Sequence, residues 1–219
     1  MSLAGLRELK RAGKKIVAVV CWDTPMAKIA DAAGVDLVSV GDSVGVNLWG
    51  QKEGEITVDE LLVVARAVRR GVKRALVSFD LPPNASPAEA TRLMEAGADM
   101  VKILASPDVI REVVKKGVPV FAELHGDKLT PQQLVAEAKR LEAAGAAMID
   151  FRHSGPVAGA AVAKAVSVPV IGGLGGGPWL DGRVRRIDVL IGYPPKQLDA
   201  LRAYTEDVRN AQPLKSDRA

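Results

Sequence analysis

Polar and charged side chains stand at or just beyond the ends of short apolar runs in this 219-residue chain. The candidates for chemistry are Asp23, Asp42, Ser43, Asp80, Lys102, Glu123, His125, Arg152, His153 and the glycine-rich residues 172–177. Carboxylates and a lysine that converge on one opening would make a site for a hard divalent cation with an anchor for a charged substrate. These residue types therefore predict metal-assisted chemistry on a small anionic molecule.

The two carboxylates that we predict to hold the metal are Asp42 and Asp80. Asp42 lies in the sequence VGDSVG at residues 40–45, where the flanking glycines allow a sharp turn and a close ligand approach. Asp80 ends the run LVSFD and precedes LPP, and proline favours an extended exit from a strand. The simpler alternative for either residue is an aspartate that caps a turn or a helix.

Lys102 interrupts the apolar run MVKIL at residues 100–104. A lysine inside a buried strand is costly unless it faces a carboxylate or an anionic ligand, although its stem could also carry the ammonium to the rim. The glycines of residues 172–177 could present backbone N–H groups to a phosphate, or they could serve as a structural turn. Cys21 is most simply a small buried apolar residue.

Short apolar runs alternate along the chain with Ala-rich amphipathic segments. The predicted strands are residues 16–21, 35–40, 75–79, 100–103, 118–121, 147–151, 168–171 and 187–191. The predicted helices are residues 24–33, 58–70, 87–96, 107–116, 131–144, 158–166 and 198–208. This alternation predicts a single-domain α/β fold, a (β/α)8 TIM barrel over residues 1–211 followed by a disordered tail, 212–219. A doubly wound open sheet is the structural competitor.

In such a barrel the chemistry lies at the carboxyl ends of the strands, where the polar candidates fall. The segments 46–56 and 172–183 are predicted to be active-site loops.

Composition excludes several classes of protein. Hydrophobic residues make up 48% of the chain, the formal net charge is only +4, and the basic residues are scattered, which argues against nucleic-acid binding. No stretch is apolar and long enough to cross a bilayer, so no membrane association is expected. One cysteine excludes an internal disulfide framework and is compatible with a cytoplasmic location.

Several segments resemble the ketopantoate hydroxymethyltransferase family, and they run in order along nearly the whole chain. They include DTPMAK at residues 23–28, VGDSVG at 40–45, DLP at 80–82, GADMVKI at 97–103, LEAAGA at 141–146 and VPVIG at 168–172. That family belongs to the phosphoenolpyruvate mutase/isocitrate lyase superfamily of barrels. Its members transfer a one-carbon unit from methylenetetrahydrofolate to a branched 2-oxo acid.

The resemblance implies Mg²⁺, with Mn²⁺ as a substitute, held by Asp42 and Asp80 and chelated by the 2-oxo acid. It also implies that Ser43 and Lys102 contact the substrate, and we add Asp23, Arg152 and Gly173 as further substrate-binding candidates. A metal-chelated 2-oxo acid loses its C3 proton more readily because the metal stabilises the enolate oxygen. By analogy with the family, we expect a homo-oligomer.

Three positions depart from the family pattern. Leu104 stands where a metal-supporting glutamate is expected, Glu123 where a histidine is expected, and Arg152 where a glutamate proposed as the base is expected. The loop after the fifth strand is also shortened to residues 126–130. Arg152 cannot act as a base at neutral pH, so Glu123, His125 or His153 would have to move protons, and Arg152 would clamp an anionic group.

We therefore expect a Mg²⁺-dependent hydroxymethyltransferase-like enzyme whose catalytic candidates are Lys102, Glu123, His125 and Arg152. A divergent lyase, aldolase or mutase of the same superfamily, acting on another 2-oxo acid, is the alternative enzyme. A barrel that has lost catalysis is the alternative of another class.

Overall fold

The computed structural model describes residues 1–173, 175–190, 199, 201–203 and 205–206. Eight parallel strands pair in sequence order and close into a barrel, as predicted. The strands are β1 (Ile16–Val20), β2 (Leu37–Val40), β3 (Leu76–Asp80), β4 (Met100–Ile103), β5 (Val120–His125), β6 (Met148–Arg152), β7 (Val170–Gly172) and β8 (Gly182–Arg186). Because all strands are parallel, their carboxyl ends share one rim.

Helices follow most of the strands. They are α1 (Leu3–Arg11), α2 (Thr24–Ala32), α3 (Val44–Trp49), α4 (Val58–Gly71), α5 (Ala90–Glu95), α6 (Pro107–Lys115), α7 (Pro131–Ala143), α8 (Pro156–Ala165) and α9 (Ile187–Leu190), with a 3₁₀ turn at Pro87–Glu89. Side-chain caps fix several starts: Thr57 with Glu60 and Thr130 with Gln133 form capping boxes. These caps set where each loop leaves the rim.

The amino ends of the strands form an apolar layer inside the barrel. Residues from seven strands and from α1 make one buried cluster, which comprises Leu6, Ile16, Ala18, Leu37, Leu76, Met100, Phe121, Met148 and Ile171. Leu6 of α1 is 1% exposed, so this helix closes the floor of the barrel. The sequence analysis did not predict α1. Its role leaves the opposite end of the barrel open for polar groups.

The eighth strand is a correction. We predicted it at residues 187–191, but β8 spans Gly182–Arg186, and Ile187–Leu190 is helical. Its sequence GRVRR is rich in arginine and places only one partly buried apolar side chain, Val184, against the barrel core. The apolar run that follows was therefore mistaken for the strand. The register with β7 identifies residues 182–186 as the eighth strand, since Ile171 pairs with Gly182 and Gly172 with Arg183.

Two predicted loops are also revised. The segment 46–56 is helical as far as Trp49, because α3 starts directly after the VGDS turn. The segment 172–183 ends earlier than predicted, since β8 begins at Gly182. Of the predicted helix 198–208, residues 199, 201–203 and 205–206 are described, and they are helical. Its other positions and the whole tail 212–219 lie outside the described residues.

The chain divides into two compact units, Met1–Arg185 and Arg186–Ala219. The first contains the floor, the rim and nearly all of the strands. In the described part of the second unit, Arg186 Nη2 pairs with Asp188 Oδ2 of α9 at 2.7 Å. No helix among the described residues is both long and apolar enough to pass through a bilayer.

Candidate active site

The interior of the barrel changes from apolar to charged between its floor and its rim. Side chains on a strand alternate in direction, so positions two apart face the same side. Phe121 and Met148 belong to the floor, and two residues further along the same strands come Glu123 and Asp150. Glu123 and Asp150 are paired in register and both are buried. A charged layer that contains these two carboxylates therefore lies inside the barrel, between the apolar floor and the rim.

Lys102 is the centre of this charged layer. Its Nζ lies 2.8 Å from Asp80 Oδ2, 3.3 Å from Glu123 Oε2 and 3.5 Å from Asp150 Oδ2. Asp80 and Lys102 are register partners on β3 and β4, so strand pairing itself brings them together. Burial alone would lower the pKa of Lys102, but Asp80, Asp150 and Glu123 outweigh it and raise the pKa above the usual lysine value. Lys102 is therefore an ammonium ion at neutral pH.

Asp80 is 4% exposed, and its carboxylate is only partly satisfied. Burial, helped by the nearby charges of Asp42 and Glu123, raises the pKa of Asp80 to about 7 against the opposing effect of Lys102. In the described part of the chain its buried Oδ1 has no hydrogen-bond partner. A buried, unpaired carboxylate oxygen beside a second carboxylate is an unfavourable arrangement that a cation would relieve.

Glu123 contacts the buried Lys102 and also two partly exposed residues at the strand ends, His125 and Arg152. Its Oε1 lies 3.0 Å from Arg152 Nη1 and 2.5 Å from His125 Nε2. Burial raises the pKa of Glu123, but Lys102, Arg152 and His125 together hold it below its usual range. An ionised carboxylate only accepts hydrogen bonds, so His125 Nε2 donates this one. In the neutral form of the ring, Nδ1 would be the acceptor.

One cavity of about 200 Å³ opens at this rim. Six predicted site residues line it: Asp42, Asp80, Lys102, Glu123, His125 and Arg152. Apolar residues complete the lining, with Pro82, Pro83, Ile103, Leu104 and Val109 among them. The cavity therefore suits a ligand with an anionic, metal-chelating head and an aliphatic body.

Three predicted substrate-binding residues do not line this cavity. Asp23 is the N-cap of α2, and its Oδ1 accepts a hydrogen bond of 2.7 Å from Met26 N. Ser43 is the N-cap of α3 but makes no side-chain cap hydrogen bond. Gly173 lies against β8, where an added Cβ would fall 2.9 Å from Val184 O.

The glycines at the end of β7 and in the loop after it allow close packing. An added Cβ on Gly172 would fall 2.3 Å from Phe151 O, and one on Gly177 would fall 2.4 Å from the Trp179 ring.

His153 has a positive φ of 52° and lies 3.7 Å from Asp127 at the surface.

Asp150 is the functional candidate that the sequence analysis missed. It is 3% exposed, interrupts the run MIDF as Lys102 interrupts its own, and faces the same interior layer. The same criterion that selected Lys102, a charged residue inside a buried strand, would have selected it. Glu53, in the loop after α3, also lines the cavity.

The residues at the rim could hold a hard cation through oxygen. Asp42 and Asp80 line the same cavity, and their charges interact. Within the described ranges, no three acidic, histidine or cysteine side chains are grouped closely enough to hold an ion by themselves. That donor set matches Mg²⁺, which commonly takes one or two carboxylates and fills its other positions with water and substrate.

A parallel (β/α)8 barrel with a carboxylate-lined rim defines the general class of this protein. Comparison with known proteins gives the family. The model of the ketopantoate hydroxymethyltransferase family matches residues 1–134 and 124–212. The chain is 34% identical to the 3-methyl-2-oxobutanoate hydroxymethyltransferase of Shewanella piezotolerans, covering 94% of this chain and 89% of that protein. It is 35% identical to the enzyme of the same name from Geobacillus kaustophilus, covering 84% and 76%. The chain belongs to the ketopantoate hydroxymethyltransferase family.

Solved structures agree on the fold. Phosphonopyruvate hydrolase in complex with oxalate and Mg²⁺ superposes with a TM-score of 0.73 at 14% identity, covering 97% of this chain and 89% of that one. 2,3-Dimethylmalate lyase, a member of the PEP mutase/isocitrate lyase superfamily, superposes with a TM-score of 0.71 at 18% identity, covering 99% and 91%. The family is therefore the one that the sequence motifs indicated, and these structures show that the fold is shared with the two enzymes.

Proposed function

We propose that this protein is a Mg²⁺-dependent enzyme that adds a one-carbon hydroxymethyl unit to a branched 2-oxo acid. The observation that carries the proposal is Asp80, a buried carboxylate with one unpaired oxygen, next to Asp42 at the rim. Membership of the family and the names of the curated relatives support the reaction type. Mn²⁺ would substitute for Mg²⁺ because both prefer oxygen donors.

Asp42 and Asp80 would hold the metal, which supplies stabilisation of the enolate oxygen of a chelated 2-oxo acid. Lys102 provides a fixed positive charge that orients the substrate carboxylate. The apolar wall of the cavity, Pro82 and Val109 among its residues, receives the branched side chain and excludes water. Together these groups hold the reacting carbon in one orientation.

Proton transfer falls to the pair formed by Glu123 and His125. Arg152 stays charged and cannot accept a proton at neutral pH. Glu123 fixes His125 through Nε2, so Nδ1 is the lone pair available to accept the proton from C3 of the substrate. Glu123 also binds Arg152 at 3.0 Å, which places a guanidinium beside the same opening.

A second cavity, of about 450 Å³, adjoins the first and shares Leu104, Ala105, Glu123 and His125 with it. Leu129 and Leu141 give it further apolar surface, and Lys128 also lines it. We assign this space to the one-carbon donor, methylenetetrahydrofolate. Its larger body needs a compartment of its own, and the shared residues would bring its carbon to the enolate.

Deuterium exchange tests the proposal. With Mg²⁺ or Mn²⁺ present, we expect NMR to show wash-in of deuterium at C3 of 3-methyl-2-oxobutanoate. Asp80→Asn and Asp42→Asn should each reduce the exchange rate at least about 100-fold, since metal-held charge stabilisation is worth several kcal/mol. Glu8→Gln is the control, because Glu8 is an exposed residue of α1 at the closed end. Unchanged exchange in both aspartate variants would refute the assignment of the metal site.

The exchange assay and calorimetry together separate the hydroxymethyltransferase from a lyase, aldolase or mutase and from a non-catalytic barrel. Arg152 at the rim favours, as second candidate, a superfamily lyase, aldolase or mutase that holds a second anionic group. Exchange or cleavage confined to 2-oxo acids that carry a second carboxylate or a phosphonate, and lost in Arg152→Gln, would select that candidate. Calorimetry that detects no affinity for Mg²⁺ or Mn²⁺, with or without a 2-oxo acid, would select a non-catalytic barrel.

A further inference from the structure

Three carboxylates share the ammonium of Lys102, but they are not equivalent. Asp80 and Glu123 line the cavity at the rim, whereas Asp150 does not. Asp150 lies on β6, is 3% exposed, and faces Lys102 at 3.5 Å. Glu123 is further engaged by Arg152 and His125. Asp150 is therefore the carboxylate of this group that is set back from the ligand cavity.

Two oxygens in this layer are buried and unsatisfied. Among the described residues, Asp80 Oδ1 and Asp150 Oδ1 both have no hydrogen-bond partner, although the other oxygen of each carboxylate contacts Lys102. One ammonium thus lies between two carboxylates that are each only half satisfied. A single cation does not meet the hydrogen-bonding capacity of this pair.

A divalent cation at Asp80 would conflict with this arrangement. Lys102 Nζ is 2.8 Å from Asp80 Oδ2, so a metal on the same carboxylate would lie close to a like charge inside a site of low dielectric constant. The ammonium of Lys102 carries three N–H donors and no acceptor, so it can only bind oxygens that accept. Its flexible stem allows the ammonium to shift toward another acceptor.

We propose that Asp150 is a positioning residue that draws the ammonium of Lys102 away from Asp80 when a divalent cation binds, so that metal and ammonium occupy separate carboxylates. This inference rests on the proposed metal-dependent function. The unpaired Oδ1 of Asp150 is the acceptor that receives the displaced N–H groups. Asp150 is not among the residues that line the cavity, and in this proposal it acts only through Lys102.

Binding of Mn²⁺ alone, measured by calorimetry, tests the proposal with a double-mutant cycle. Asp150→Asn should weaken Mn²⁺ binding about tenfold, because Lys102 then stays on Asp80. Lys102→Met should bind Mn²⁺ at least as tightly as the wild type. In the Lys102→Met background, Asp150→Asn should cost less than about threefold, since no ammonium remains to be moved.

Equal losses in the two backgrounds would show that Asp150 acts through its charge alone and would overturn the inference. Asp108→Asn is the matched control, an exposed aspartate of α6 whose loss should change Mn²⁺ affinity by less than about twofold. If the wild type itself binds no Mn²⁺, the proposed function fails as well, whereas additive losses with a wild type that binds refute only the role of Asp150.

A structure of the wild type with Mn²⁺ gives a second readout that does not depend on how the variants fold. We expect Lys102 Nζ to lie closer to Asp150 than to Asp80 in that structure. An ammonium that remains at 2.8 Å from Asp80 Oδ2 with the metal bound would overturn the proposal.

Discussion

Asp80 and Lys102 are register partners on adjacent strands, and their charged atoms meet at 2.8 Å inside the rim of the barrel. The local sequence around each residue does not show that the two side chains are neighbours. Asp80 is followed by prolines and Lys102 is surrounded by apolar residues, yet the parallel pairing of β3 with β4 places them side by side. The site is therefore built by strand register, and its properties can be altered at single positions around it.

Leu104→Glu tests how much the metal site has lost relative to the family pattern. Leu104 lines the cavity and is 64% exposed, so a carboxylate can be introduced there without burying it. We expect Mn²⁺ affinity to rise about threefold to tenfold, because a negative charge about 8 Å from a divalent cation contributes on the order of 1 kcal/mol at the dielectric constant of water, about 80. Leu48→Glu, at a 47%-exposed residue of α3, is the control in calorimetry. A Leu104→Glu protein that binds no more tightly than this control would contradict the prediction.

Leu6→Ala tests the closure of the barrel floor by α1. Leu6 is 1% exposed within the apolar cluster at the amino ends of the strands, so its truncation should lower the free energy of unfolding by about 2–5 kcal/mol. Urea denaturation followed by circular dichroism measures this loss. Mn²⁺ affinity below the transition should stay unchanged, since the floor and the rim are at opposite ends. A small effect on stability, similar to that of Leu48→Ala, would mean that α1 does not seal the core.

Gly182→Ala tests the seam at which β8 meets β1. An added Cβ would fall 2.2 Å from Ile16 O, a backbone atom that cannot move without displacing β1. We expect the free energy of unfolding to fall by about 1–3 kcal/mol, as for other overpacked sites. Gly5→Ala in α1 is the matched control. There the nearest atom is the flexible Met1 Sδ at 3.1 Å, and alanine favours the helix. Equal thermal stability of the two variants would argue against tight closure at this seam.

Asp31→Asn tests a pH-dependent contribution to stability. The carboxylate of Asp31, in α2, accepts backbone hydrogen bonds from Ala75 at 2.8 Å, Arg74 at 3.0 Å and Lys73 at 3.1 Å. Slight burial raises the pKa of Asp31, but these hydrogen bonds outweigh it, and the pKa lies below its usual value.

A carboxyl group whose pKa is lower in the folded state stabilises the protein above its unfolded pKa of about 3.9, and this contribution is lost as the pH falls through the folded pKa. The wild type should therefore exceed Asp31→Asn by about 0.5–1 kcal/mol at pH 5–7, since solvent screens this exposed carboxylate, and the difference should shrink below about pH 4. Urea titrations across this range measure it. A difference that stays constant down to the lowest pH at which both proteins fold would refute the electrostatic origin.

The sequence by itself determined the class of fold, since buried β-branched runs alternating with capped, Ala-rich helices satisfy both faces of a parallel sheet only in a few architectures. It also located the polar residues at the strand ends. Six of them line one cavity, because every strand of a parallel barrel ends at the same rim. The sequence motifs showed the resemblance to the ketopantoate hydroxymethyltransferase family without any argument from packing.

Tertiary structure alone decided the rest. The arginine-rich β8 gains its place from pairing with β7 and not from its own hydrophobicity, and α1 is defined by the floor that it covers. Asp150 acquires its importance only from Lys102, 48 residues away along the chain and 3.5 Å away in space. A pattern of residue types shows which side chains are apolar and which are charged. Long-range strand pairing decides which carboxylates share the buried ammonium of Lys102. The physical reason is that desolvation and Coulomb interactions act between neighbours in space, whatever their separation in sequence.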